Sequence, residues 1–81
     1  MNQINNEDIL SILKELRPEF DFEDSKDFVE DGLLDSFDIA SLISVIEERY
    51  FVKIDGLDVV PENFLSVDAI ISLIKKSGGQ S

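Results

Sequence analysis

Apolar residues recur at helical spacing in three stretches of the chain. Ile9, Ile12, Leu13 and Leu16 follow an i, i+3, i+4, i+7 stripe, which lays side chains along one face of a helix. Asn5 or Asn6 stands where an N-cap belongs, Glu7 and Asp8 suit the first turn, and Pro18 stops the element. A second stripe, Ile39, Leu42, Ile43, Ile46 and Tyr50, predicts a helix over about 36–50, on the order of 22 Å long. A third, Val67, Ile70, Ile71 and Ile74, follows Ser66 as cap and ends at Ser77-Gly78-Gly79, leaving Gln80 and Ser81 as a frayed tail.

The segments between the stripes have no such period. Residues 18–35 carry Phe20, Phe22, Phe28, Val29, Leu33 and Leu34 among many acids, the pattern of a long loop pinned to a core by its aromatics. Phe51-Val52-Lys53-Ile54 has strand character, but one short strand without a partner forms no sheet, so it reads as a buried connection. Asp55-Gly56 makes a turn, and Pro61-Glu62-Asn63-Phe64 centres a short helical piece within 57–64. The expected fold is therefore all-α: one domain over 1–81, a four-helix bundle with helices at about 6–17, 36–50, 57–64 and 66–77, a long first loop and a short third helix. Its core is built from aliphatic and Phe side chains, which can do no chemistry.

Composition narrows the function classes. With no cysteine and no histidine, disulfides, thiolate metal sites, Cys nucleophiles and His general bases are excluded. The net charge of -11 repels nucleic acid and anionic lipid and attracts partners with Lys and Arg patches. Nine acids against one lysine fall within residues 18–38, so the charge gathers on one approach. The N-terminus lacks the basic start and apolar run of a signal peptide, and no stretch is long enough to span a bilayer. A cytoplasmic protein with no membrane insertion is expected.

That acidic approach leads to Ser36, in Asp31-Gly32-Leu33-Leu34-Asp35-Ser36-Phe37-Asp38. Ser36 can serve as a helix cap, since Ser and Asp oxygens accept from first-turn amides. It can equally serve as an attachment point, because a phosphate joined to a hydroxyl there meets free N–H groups and the positive end of the dipole. The outward face of the same helix carries Phe37, Ala40, Ser41, Ser44, Glu47 and Glu48, small and partly apolar near Ser36 and acidic further on. Such a face suits docking of a partner as well as plain solvation.

Gly32-Leu33-Leu34-Asp35-Ser36-Phe37, with Glu47-Glu48-Arg49-Tyr50-Phe51, Ile54 and Pro61-Glu62-Asn63-Phe64 after it, resembles the acyl carrier protein family, including its peptidyl and D-alanyl carrier relatives, over nearly the whole chain. The resemblance implies that Ser36, with Asp35 as motif neighbour, receives 4'-phosphopantetheine from coenzyme A through a phosphopantetheinyl transferase. The terminal thiol then carries an acyl group, or alternatively an aminoacyl group, as a thioester in lipid, polyketide or related biosynthesis. It further implies a non-enzymatic monomer served by loading enzymes and downstream transferases with basic patches, which would dock on Phe37, Asp38, Ala40, Ser41, Ser44, Glu47 and Glu48. The lack of cysteine fits a thiol supplied by the prosthetic group. Phe37 where Leu is usual, and Ser41 and Ser44 where fatty-acid carriers often have Glu and a large apolar residue, point to a specialised stand-alone carrier.

Two readings of another class compete. Counted from Asp27, Gly32 falls at the sixth position of a calcium-binding loop and Asp38 at the twelfth. Val29 then occupies a required oxygen-ligand position, and Asp replaces the expected Glu at the end, so no specific metal site is expected. An acidic adaptor, with Ser36 as a cap only, predicts that Ser36→Ala costs about 1 kcal/mol of stability and no function.

Overall fold

The computed structural model describes residues 4–78. Helix α1 spans Asn6–Leu16, α2 Ser36–Tyr50 and α3 Val67–Lys76, and no strand is present among the described residues. Each helix starts where a side-chain oxygen can accept a first-turn amide. Asn5 Oδ1 accepts from Asp8 N at 2.9 Å, Asp35 Oδ1 from Asp38 N at 2.9 Å, and Ser66 Oγ from Ala69 N at 3.1 Å. Pro18 ends α1 through its predecessor: Arg17 leaves helical geometry at φ -138°, ψ 78°, as a residue before proline is driven to do. Gly78 closes α3 in the left-handed region at φ 102°, conformational space that glycine enters without penalty. The tail beyond it lies outside the described residues.

Helix α1 packs against both α2 and α3. Ile9, Ile12 and Leu13 meet Leu42, Ile46, Ile70, Leu73 and Ile74 in one core that also takes Phe22, Phe28, Leu34 and Phe64. The apolar stripes are thus the packing faces, with Leu16, Ile43, Tyr50, Val67 and Ile71 half-buried at their margins. Ile4 and Leu73 are further buried residues that the stripes did not include. The long loop is fastened as its aromatics predict, Phe22 and Phe28 meeting edge-to-face with ring centroids 5.2 Å apart. Val52 and Ile54 are buried in the connection after α2.

Two expectations change. The 57–64 piece is not an α-helix but two 3-10 turns, Gly56–Asp58 and Pro61–Phe64, so the described residues hold three α-helices and not the four of the expected bundle. Pro61 has no N–H to give and pushes Val60 to φ -131°, ψ 152°, which breaks any helix crossing that point. The turns are tied down by buried Phe64, by Asn63 Nδ2 donating to the Asp58 carbonyl at 2.7 Å, and by Lys76 Nζ at 2.8 Å from Asp58 Oδ1. The core is also not wholly apolar, because Asp38 is buried at its edge, 6% exposed.

Candidate functional site

The geometry around Ser36 starts eight residues earlier, at Phe28. Its ring is buried, its N–H donates to the Leu65 carbonyl at 2.8 Å, and its carbonyl accepts from both Leu33 N and Leu34 N at 2.8 and 3.0 Å. Closing that loop requires a left-handed residue, supplied by Gly32 at φ 78°. Leu34 is thereby delivered into the core immediately before the cap residue Asp35. Leu34 and Ile39, both buried in the same cluster, hold the positions of a hydrophobic staple that fixes the angle at which the chain enters the helix.

Asp35 and Asp38 form a reciprocal capping box. Asp35 Oδ1 accepts from Asp38 N at 2.9 Å and Asp38 Oδ2 accepts from Asp35 N at 3.3 Å. The cap is therefore Asp35 and not Ser36, which is the exposed first residue of α2. No hydrogen bond engages the Ser36 Oγ among the described residues, and the residue is exposed at the start of α2.

Asp38, expected on the outward docking face, is instead buried and paired within the fold. Arg17, the C-cap of α1, donates Nε to Asp38 Oδ1 at 3.0 Å and to Oδ2 at 3.1 Å. The same guanidinium lies 3.9 Å from Asp35 Oδ2, 3.3 Å from Glu19 Oε2, and 5.9 Å from the Phe20 ring centroid. Burial alone pushes the Asp38 carboxyl up, but hydrogen bonds from Arg17 and the Asp35 N–H, with the guanidinium charge, outweigh it and hold the group below the ordinary carboxylate range. The Asp38 charge at the tip is thus compensated internally. The Asp35 side chain, at the outer edge of the same guanidinium, is 65% exposed.

The other predicted docking residues divide. Phe37, Ala40, Ser44 and Glu48 are exposed, and Ser41 is half-buried along the same face. Phe37 is 76% exposed, a large apolar surface one residue from the hydroxyl. Glu47 instead turns to the connection, where Oε2 accepts from Ile54 N at 2.9 Å. A cleft of about 140 Å³ is lined by Ser36 together with Ile39, Val59, Val60 and Pro61. Only Ser36 among the predicted site residues borders it; the loop residues that complete it come from the segment read as a short helix.

Arg17 is the participant that the apolar pattern could not reveal. A basic residue at a helix end before proline, and an Asp three positions after a capping Asp, were the local signals for it. Their pairing over 21 residues required the fold. The rejected calcium loop is spent on local bonds: Asp27 Oδ1 accepts from Val29 N and Glu30 N, and Asp31 Oδ2 from Ser25 Oγ at 2.6 Å. No group of three acids suited to a metal ion occurs among the described residues.

Against known protein families, curated proteins and solved structures, the chain finds no match.

Proposed function

We propose that this protein is a stand-alone acyl carrier that bears 4'-phosphopantetheine on Ser36. The observation that carries this reading is the exposed, unengaged hydroxyl at the first residue of α2, with capping left to Asp35. With the cap supplied by Asp35, the Ser36 oxygen is not needed by a first-turn amide and is free for chemistry at the exposed tip. The hydroxyl can act as a nucleophile towards the diphosphate of coenzyme A. Ser36 Oγ forms the new bond to phosphorus, the bond to the departing adenosine 3',5'-bisphosphate breaks, and the hydroxyl proton passes to a base of the transferase. The joined phosphate is favoured by the N-terminal amides of α2.

The residues present fit such a group. Asp38, which would oppose a second negative charge, is already paired with Arg17, and exposed Asp35 lies 3.9 Å from the same guanidinium. The apolar cleft beside Ser36 suits the non-polar part of a short tethered chain. The group itself supplies the thiol that a chain without cysteine lacks. The turns Gly56–Asp58 and Pro61–Phe64 stand in chain order where the carrier bundle has its short third helix, and we read them as its counterpart.

Partners on this reading are a phosphopantetheinyl transferase, a loading enzyme and downstream acyl or aminoacyl transferases, acting on a non-enzymatic cytoplasmic carrier. They would meet Phe37, Ala40, Ser41, Ser44 and Glu48, with electrostatic attraction from the acidic residues 18–38 giving fast, salt-sensitive encounter. No helix among the described residues is long and apolar enough to cross a membrane, which is compatible with that setting.

The test is intact mass after incubation with coenzyme A, magnesium and a broad-specificity phosphopantetheinyl transferase, with Ser36→Ala in parallel. One phosphopantetheine on the wild type alone is the expected result. A folded wild type that takes no group overturns the reading in favour of the adaptor.

A further inference from the structure

We infer that Arg17 and Asp38 are positioning residues for the reaction at Ser36, an inference that rests on the carrier reading for the reaction but not for its geometry. Ser36 lies inside a two-way hydrogen-bonded loop, Asp35 to Asp38 and back. Such a loop fixes the helix tip relative to its own helix only. Arg17 adds the tertiary reference. Its guanidinium joins the end of α1 to both oxygens of Asp38 and comes within 3.9 Å of Asp35 Oδ2, so the capping box around Ser36 is tied to a second helix through Asp38.

The clasp is itself fixed. Arg17 sits over Phe20, Phe20 meets Phe22 edge-on at 6.4 Å, and Phe22 meets Phe28 at 5.2 Å. Phe28 then returns through its carbonyl to Leu33 and Leu34, immediately before the cap. The Ser36 tip is therefore reached from two directions, through Arg17 and through Leu34, which start from the same aromatic chain. A transferase that brings its phosphorus to Ser36 Oγ meets a nucleophile whose position is set before docking. Such preorganisation acts on the rate of reaction within the complex, because misplacing a reacting atom by about 1 Å costs on the order of a hundredfold.

A docking role and a positioning role separate by charge. Removing the Arg17 cation makes the tip more acidic, which leaves attraction to a basic transferase unweakened, so KM stays level or falls. Loss of position lowers kcat instead. In transfer of phosphopantetheine from coenzyme A, Arg17→Gln is expected to lower kcat roughly ten- to hundredfold without raising KM, with circular dichroism showing a folded protein at the assay temperature. Asp38→Asn, which keeps a side-chain acceptor for the Asp35 N–H, is expected to lower kcat likewise and serves if Arg17→Gln does not fold; because it removes an acid and weakens attraction to a basic partner, its KM does not separate the two roles and kcat alone is read. Arg17→Lys keeps the charge and loses the planar fork, and should fall between.

Hydrogen exchange of the Asp35 and Asp38 amides, followed residue by residue, supplies a readout independent of any transferase. It should quicken roughly tenfold in Arg17→Gln through local opening, with the α3 amides unchanged. Wild-type kcat in both variants overturns the inference, as does unchanged exchange at Asp35 and Asp38. If the wild type accepts no group, the carrier reading fails, and the exchange measurement alone decides whether the clasp fixes the tip.

Discussion

At its N-terminus α2 begins with a staple, a capping box and an arginine from another helix; at its C-terminus it stops at Phe51, left-handed at φ 54° and 93% exposed. A non-glycine residue in that region costs roughly 1–2 kcal/mol, and an exposed aromatic ring recovers little of it by burial. Both ends carry an exposed Phe, but the end beside Phe37 is anchored by a buried acid, Asp38, whereas the end at Phe51 is tied to α1 through an exposed ion pair, Arg49 to Glu15. The comparison shows where this small domain concentrates its geometric definition. The end bearing Ser36 is constrained by a staple, a capping box and a part-buried arginine pair, while the far end is held by Glu47 bonding to Ile54 N and by a solvent-exposed ion pair from Arg49 Nη2 to Glu15 Oε2 of α1 at 3.2 Å, and tolerates strain at Phe51.

The largest break in that comparison comes from Phe28→Ala. It removes a buried ring that anchors the loop leading to Ser36, at a cost of about 3–5 kcal/mol, a large share of what a domain this size has. Urea denaturation should show the midpoint collapsing, and aromatic NMR signals of Phe20 and Phe22 should broaden or shift with it.

The Arg17 clasp gives the next effect and a pH signature. Because the native Asp38 carboxyl lies below its unfolded value of about 4, its stabilisation is complete above that pH and is lost as pH falls through the depressed native value. The difference in unfolding free energy between wild type and Asp38→Asn should be largest near neutrality and shrink on acidification below pH ~4. A difference that stays constant to pH ~2 would show that the carboxylate's charge plays no part.

Exchanging cap for neighbour sharpens the assignment within the tip. Asp35→Ala should cost about 1 kcal/mol, or roughly 4–8 °C in Tm, whereas Ser36→Ala should stay within roughly 0.5 kcal/mol of wild type while losing the attachment point. Equal losses would mean that Ser36 shares the capping.

At the other end, Phe51→Asn should be stabilising by about 0.5–1 kcal/mol, because Asn tolerates the left-handed region and almost no buried surface is given up. A fall in Tm would show that the exposed ring makes contacts worth more than the strain.

Much of this was legible in the chain. Ile9, Ile12 and Leu13, then Leu42 and Ile46, then Ile70 and Ile74 announce three helices and their inward faces, because helical spacing is a local property. Phe22 and Phe28 announce that the acidic loop is anchored. The 57–64 piece was misjudged because Pro61 acts on Val60 as well as on its own hydrogen bond. Asp38 and Glu47 looked like surface acids because charge in a sequence says nothing of the partner that folding brings: Arg17 in one case, the Ile54 amide in the other. Ser36 was singled out correctly as the tip residue, but its division of labour with Asp35 needed the cap geometry.

The sequence by itself determined the all-helical class, the main helix starts, the acidic approach and the place of Ser36 at the start of the second helix. Each follows from periodicity, capping chemistry or charge within a few residues. Only the tertiary structure decided that Asp38 is neutralised by Arg17, that Val59, Val60 and Pro61 border Ser36, and that Phe28 sets the approach to Asp35. Those facts depend on groups about 7 to 25 residues apart in the chain meeting within hydrogen-bonding or van der Waals distance, and no local pattern specifies such meetings.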